Sequence, residues 1–141
     1  MKTAKNGVKT EATLPKYQDG TYRVEMKEDS HGWMDYLVVR ISDGAVEVLE
    51  FDSINADGQL KSADEGYRKA MEEKTGTYPE KYSQDIIAAF QRQNDVTEME
   101  NVAGATVSSN SFKLMMGELL QTNARTGETE TLTVNALPED K

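Results

Sequence analysis

The chain contains no cysteine. That absence excludes disulfides, zinc–thiolate sites, iron–sulfur clusters and cysteine nucleophiles together. Histidine is nearly absent too: His31 stands alone between a serine and a glycine, a setting that suits an exposed or capping residue better than a catalytic base. No apolar run approaches the ~20 residues needed to span a bilayer, so this domain is not expected to insert in a membrane directly. No signal peptide is recognisable. These absences fit a cytoplasmic protein, and equally a mature or shortened extracellular chain whose lipidated cysteine has been cut away. Basic residues are also in short supply, 16 against 25 acids, for a net charge of −9. The first 19 residues hold four Lys against Glu11 and Asp19, so the rest is more acidic still. Nucleic acid and anionic membrane are thereby disfavoured as partners, because both require clustered Lys and Arg.

What remains is the composition of one folded domain with polar ends. At 141 residues the length prior gives a single unit, able to hide roughly two-thirds of its unfolded surface. Mean hydropathy is −0.69. Residues 1–18 are Lys-, Thr- and Ala-rich without periodicity and read as a flexible leader. The domain proper is expected over 19–136, and 137–141 should fray.

Along the domain the apolar period changes. Tyr22, Val24 and Met26 alternate with polar neighbours in a strand over 21–27. A longer strand is expected over 33–42, with Trp33, Asp35, Leu37, Val39 and Ile41 on one face. Asp43-Gly44 is a hairpin turn, and 45–52 is its partner, with Val46 and Val48 opposite Leu49 and Phe51. Apolar residues on both faces predict that this hairpin is central to the sheet. Ser62 to Glu65 reads as a capping box. It opens a helix bearing Tyr67, Ala70 and Met71, stopped by Gly76. Pro79 suits the first turn of a second helix, whose core face is Tyr82, Ile86, Ile87, Ala89 and Phe90. The last helix is expected over about 109–124, because Phe112, Met115, Met116, Leu119 and Leu120 follow the i, i+3, i+4, i+7, i+8 pattern. Gly127 is its stop, and an edge strand within 129–134 is possible on alternation. The fold class that results is α+β: a twisted antiparallel sheet with about three helices packed mainly on one face. Asp52, Asp57, Asp64 and Glu65 crowd one loop, but their spacing does not fit a calcium-binding loop, and a solvated surface is the better reading.

The stretch Glu100-Asn-Val-Ala-Gly-Ala-Thr106 carries the most chemistry. Gly104 lets the backbone approach a ligand closely. Ser108 and Ser109 precede the apolar-periodic run and mark a helix N-terminus, whose free amides are suited to an anion. By spacing alone, a capped turn without ligand and a phosphate cradle both remain open.

This stretch resembles the attachment motif of FMN-binding domains: Asp, two variable residues, Ser or Thr, then Gly-Ala-Thr. Such domains occur in peripheral subunits of ion-pumping NADH:quinone reductase-type complexes and in bacterial surface lipoproteins for extracellular electron transfer. Gly104, Ala105 and Thr106 match. Glu100 replaces Asp, keeping the charge with one more methylene. Ala103 replaces Ser or Thr, removing a hydroxyl. The resemblance continues through His31-Gly-Trp33, Asp43-Gly44, Phe51-Asp52, Asn55, Gly58, Lys61-Ser62, Tyr67, Met71, Gly76, Pro79, Tyr82, Ser108-Ser109 and Phe112, covering residues from about 19 to 125.

The resemblance implies FMN carried on Thr106 through a phosphoester, installed by a flavin transferase. It implies a redox carrier domain rather than an enzyme, exchanging electrons with a membrane or surface donor and acceptor. It also implies an extracellular setting, as a surface lipoprotein or membrane-anchored protein. Amides of Ala105, Thr106, Val107, Ser108 and Ser109, with both serine hydroxyls, are then expected at the phosphate, alongside ordinary capping by the serines. Glu100 either orients the loop, helps place the transferase's metal ion, or is a solvated acid. Tyr67, Met71 and Trp33 are candidates for the flat flavin ring, against the alternative of ordinary core. No sequence-adjacent His or Lys would activate Thr106, so that chemistry belongs to the transferase. Two rival readings are a flavin-free interaction module, favoured by Ala103, and a flavin-dependent reductase with its own substrate.

Overall fold

The computed structural model describes residues 17–27, 32–93 and 95–135. The expected frayed tail and His31 lie outside them. Strand β1 (Gly20–Met26), β2 (Met34–Ser42) and β3 (Ala45–Ile54) are followed by a 3₁₀ turn (Lys61–Ala63). Helices α1 (Glu65–Thr75), α2 (Pro79–Gln93), α3 (Thr106–Gln121) and the single turn α4 (Asn123–Thr126) come next, and β4 (Leu132–Val134) closes the chain. The sheet order is β3-β2-β1-β4. The α+β class is as expected, with helices gathered on one face. The sheet is mixed, however: β4 pairs parallel to β1, Val24 opposite Leu132 and Met26 opposite Val134. Strand alternation cannot reveal direction, because inward and outward residues alternate either way.

The hairpin forms where Asp43 and Gly44 adopt φ of 51° and 81°, the paired left-handed geometry of a tight two-residue turn. Its placement differs from expectation. β2 is internal, but β3 is an edge. The apolar residues on both faces of β3 have another cause. Val38 pairs with Glu50 and Val39 with Val48, so Leu49 is an inserted bulge residue. The bulge resets the side-chain phase. Val46, Val48, Phe51 and Ser53 thus share one side of the sheet with Ile41, Val39, Leu37 and Asp35, their cross-strand partners. Leu49 is left largely exposed.

That side is the core. Tyr22, Val24, Leu37, Val39 and Ile41 of the sheet meet Ile86 and Phe90 of α2 and Phe112, Met115, Met116 and Leu119 of α3. Phe112 lies at the centre, 5.1 Å edge-on to Phe51 and 5.6 Å from Phe90. The opposite sheet face is polar. There Tyr36 is covered by the Arg23 guanidinium at 4.4 Å and donates to Glu50 at 2.9 Å. Burial first, and the Glu50 bond second, push the Tyr36 phenol far above its ordinary range.

Several helix boundaries shift. Ser62 is not a capping residue; it lies in the 3₁₀ turn, and its hydroxyl donates to Asp52 at 2.5 Å. Asp64 caps α1, accepting from the Tyr67 amide at 3.0 Å. Asp64 sits directly before the first helical turn, which is where a cap must be. Gly76 in the left-handed region ends α1, and Pro79 opens α2, both as expected. Gly127 likewise ends α4. The last helix breaks at Thr122, so the expected single run is α3 plus one turn. Gln18, read as leader, is tied to the fold: its amide donates to Ala124 at 2.7 Å and its carbonyl accepts from Tyr22 at 2.8 Å.

Phe112→Ala should lower stability by about 3–5 kcal/mol, the usual range for removing a buried aromatic ring. The urea midpoint should fall accordingly with little change in the slope of the transition.

Candidate functional site

The decisive shift is at the start of α3. The helix begins at Thr106, three residues before the expected 109, with Ala105 as its N-cap and no side-chain cap. Ala105 is buried in the core, whereas Thr106 is exposed and Val107 protrudes at 75% exposure. The first-turn amides therefore belong to Thr106, Val107 and Ser108, and these have no carbonyl of their own helix to bond. Thr106 is thus the first residue of a helix rather than part of the loop before it.

Ser109 explains why. It is fully buried; its hydroxyl donates to the Ala105 carbonyl at 2.8 Å and accepts from the Val102 amide at 3.0 Å. The side chain expected to cap the helix instead ties the loop to it from inside. Its hydroxyl is committed, and it is not placed to meet a ligand. Asn101 adds a second tie, donating to Asn110 at 3.2 Å. Gly104 sits between these ties at φ 80°. A Cβ there would come 3.1 Å from the Thr77 methyl and 3.5 Å from Thr75 Cβ. The α1–α2 connection therefore backs the turn, and glycine suits both the left-handed conformation and the tight space.

That connection holds an unmet polar group. Thr77 is buried, and among the described residues its hydroxyl has no hydrogen-bond partner. Buried hydroxyls are normally satisfied, so an orphan beside this turn is informative. Thr75 braces the same segment, donating to the Met71 carbonyl at 2.9 Å.

The other candidates divide. Trp33 and Tyr67 come together, ring centroids 6.4 Å apart and edge-on. Met71 instead packs half-buried against the hydrophobic core. Glu100 is exposed, and among the described residues it has no hydrogen-bond or ion-pair partner. Ser108 is half-buried and lies near the buried Tyr82 phenol. Burial raises the Tyr82 pKa, while the Ser108 hydroxyl and then the charge of Lys61 oppose the rise.

Lys61 was named in the sequence only as part of a pattern, without a role. Its ammonium lies 4.7 Å from the Tyr67 ring centre and 5.9 Å from that of Trp33. Burial works to lower its pKa, but the oxygens of Tyr82 and Tyr67, then Asp35, outweigh it, so the net shift is upward. No local sequence signal marks it, because the contacts come from β2, α1 and α2. An open groove of about 420 Å³ adjoins Trp33, lined also by Gln59, Leu60, Ala63, Asp64 and Glu65. That volume is in the range of small-molecule sites.

Asp35 connects the site to the sheet. Its two carboxylate oxygens accept from Ser53 at 2.5 Å and from Ser111 at 2.6 Å. It thereby joins β2, β3 and α3. Asp52 and Asp64, considered for calcium, are occupied by the Ser62 and Tyr67 bonds already described.

Fold and loop define a class: a small α+β domain presenting one threonine hydroxyl at the mouth of a helix laid across a four-stranded sheet. No model of a known family matches the chain. It is 35% identical over 115 residues to the 15 kDa lipoprotein of Treponema pallidum (strain Nichols), a match spanning 81% of this chain and 81% of that protein. The chain belongs to the family of that lipoprotein. Among solved structures it is similar to the CPE2226 protein of Clostridium perfringens, with a TM-score of 0.78 and 30% identity over 84% of this chain and 98% of that one.

Gly104→Ala and Ser109→Ala should both destabilise, by about 1–2 kcal/mol for the left-handed Cβ and about 1–3 kcal/mol for the orphaned Val102 amide. Thermal melts give the size. Amide exchange should localise the loss to 101–109 before the sheet opens.

Proposed function

We propose that this domain is an electron carrier holding FMN by a phosphoester to Thr106. The single observation that carries the reading is the placement of Thr106: the threonine that matches the family motif is also the exposed first residue of α3. A dianionic phosphate esterified there would lie beside the free first-turn amides and the positive end of the helix dipole. Thr106, Val107 and Ser108 would hold it by their amides. The unpartnered Thr77 hydroxyl beside Gly104 fits a site with a polar ligand. Among the described residues no side chain is bonded to the Thr106 hydroxyl, in keeping with activation by a separate transferase.

Trp33 and Tyr67 would form the apolar side of the site, with the groove beside Trp33 open to the ring. Met71 supports that wall from the core side rather than lining it. When bound, FMN supplies reversible one- and two-electron chemistry; the chain supplies attachment, orientation and local charge. The donor and acceptor would be redox partners at a membrane or cell surface. The relative's designation as a lipoprotein supports an anchored, surface-facing setting for this chain too. No helix among the described residues is long and apolar enough to cross a membrane.

Coexpression with a flavin transferase tests the reading. Intact protein should gain the mass of FMN less one water, with flavin absorbance that survives denaturation. Thr106→Ala should abolish the gain, and Thr106→Ser should retain it. An unmodified wild type, or an adduct that persists in Thr106→Ala, would remove the basis for the assignment.

A further inference from the structure

Lys61 is a partly buried cation with an unusual set of neighbours. Arg23, Arg40, Arg68 and Lys81 each have a carboxylate within 4.0 Å. Among the described residues, no carboxylate lies that close to Lys61. Asp35 acts on it electrostatically, but both Asp35 oxygens already accept serine hydroxyls. Lys61 rests instead against the faces of Tyr67 and Trp33. Withdrawing an ammonium from water without a bonded anion is costly, and two ring faces offset only part of that cost. A cation held in this way is preorganised for an anion that is not part of the chain.

Its position indicates which anion. Lys61 rests on the two rings, Trp33 and Tyr67, that would face the flavin, and its chain neighbour Leu60 lines the groove beside Trp33. We propose that Lys61 is the charge-tuning residue of this site, its ammonium favouring the reduced state of the bound flavin. The inference rests on the carrier reading above. Delivery of two electrons and one proton by a reduced donor oxidises that donor and adds one negative charge to the site. A fixed positive charge in the same pocket lowers the energy of the more negative state and raises the midpoint potential. Lys61 would then act by charge alone, forming no bond and transferring no proton.

The test uses wild type, Lys61→Gln and Lys61→Arg, each coexpressed with the transferase and titrated with dithionite against reference dyes. Lys61→Gln should carry a full adduct, yet favour the reduced form roughly tenfold less. For a two-electron couple that is a fall of about 30 mV in midpoint potential. Lys61→Arg should restore the wild-type value. A fully loaded Lys61→Gln protein with unchanged potential would overturn the role of Lys61 and leave the carrier reading intact. A wild type without adduct would overturn both. The wild type alone gives a second measurement, should the variant not fold. Uptake of one proton per two electrons predicts a slope of about 30 mV per pH unit around neutral pH; twice that slope would also overturn the proposal.

Discussion

The burial of α3 against the sheet is the constraint from which the other features follow. Phe112, Met115, Met116 and Leu119 are all fully buried, and each such side chain contributes about 1.5–3 kcal/mol when removed from water. This stripe faces Val24, Leu37 and Val39 from the neighbouring strands. Once its rotation is fixed, every other residue of the helix is assigned a direction. Ser109 and Ser111 fall on the inward side with Phe112. Thr106 and Val107, at the helix start, fall outside. The exposed threonine is thus a consequence of core packing six to thirteen residues away, with no need for a local device to expose it.

Two serines convert this packing into a defined loop. Ser111 bonds Asp35, which also holds Ser53, so the inward face of α3 has a polar contact at the end of its apolar stripe. A half-buried carboxylate is tolerable there because it is hydrogen-bonded on both oxygens. Ser109 does the equivalent work for the incoming chain, satisfying the half-buried Val102 amide. Gly104 is the corner that lets the chain reach this arrangement while passing the α1–α2 connection. The helix thus begins where the hydrogen bonds allow.

These same features explain what could be read from the sequence. The α3 stripe, the Asp43-Gly44 turn, the Gly76 stop and the Pro79 start are local, and each matches its expected place. The start of α3 was missed because Ser108 and Ser109 have capping side chains, yet the tertiary fold turns Ser109 inward to serve Val102. The edge position of β3 was missed because the Leu49 bulge swaps faces midway, which imitates a strand apolar on both sides. The parallel β4 was beyond reach because its direction depends on which strand it meets. Within the candidate site, Thr106 and Gly104 were legible from a contiguous motif. The pairing of Trp33 with Tyr67 was expected only as separate ring candidates. Lys61 had no signal beyond its place in the resemblance, since three elements far apart in sequence create its surroundings.

The exposure of Thr106 bears on how a cofactor could be held in so open a place. A noncovalent flavin site gains its affinity by enclosing the ring, commonly hiding most of the ligand surface. Here Tyr67 is 37% exposed, Leu60 likewise 37%, and the adjoining groove is open. Such a wall would hold free flavin weakly. An ester removes the need for enclosure, because a tethered ring is present at high effective concentration however loosely it rests. The same openness would, on the proposed reading, let a modifying enzyme reach the hydroxyl and redox partners approach the ring. On the proposed reading, the domain therefore specialises its few ordered contacts toward orientation and charge, leaving retention to one covalent bond.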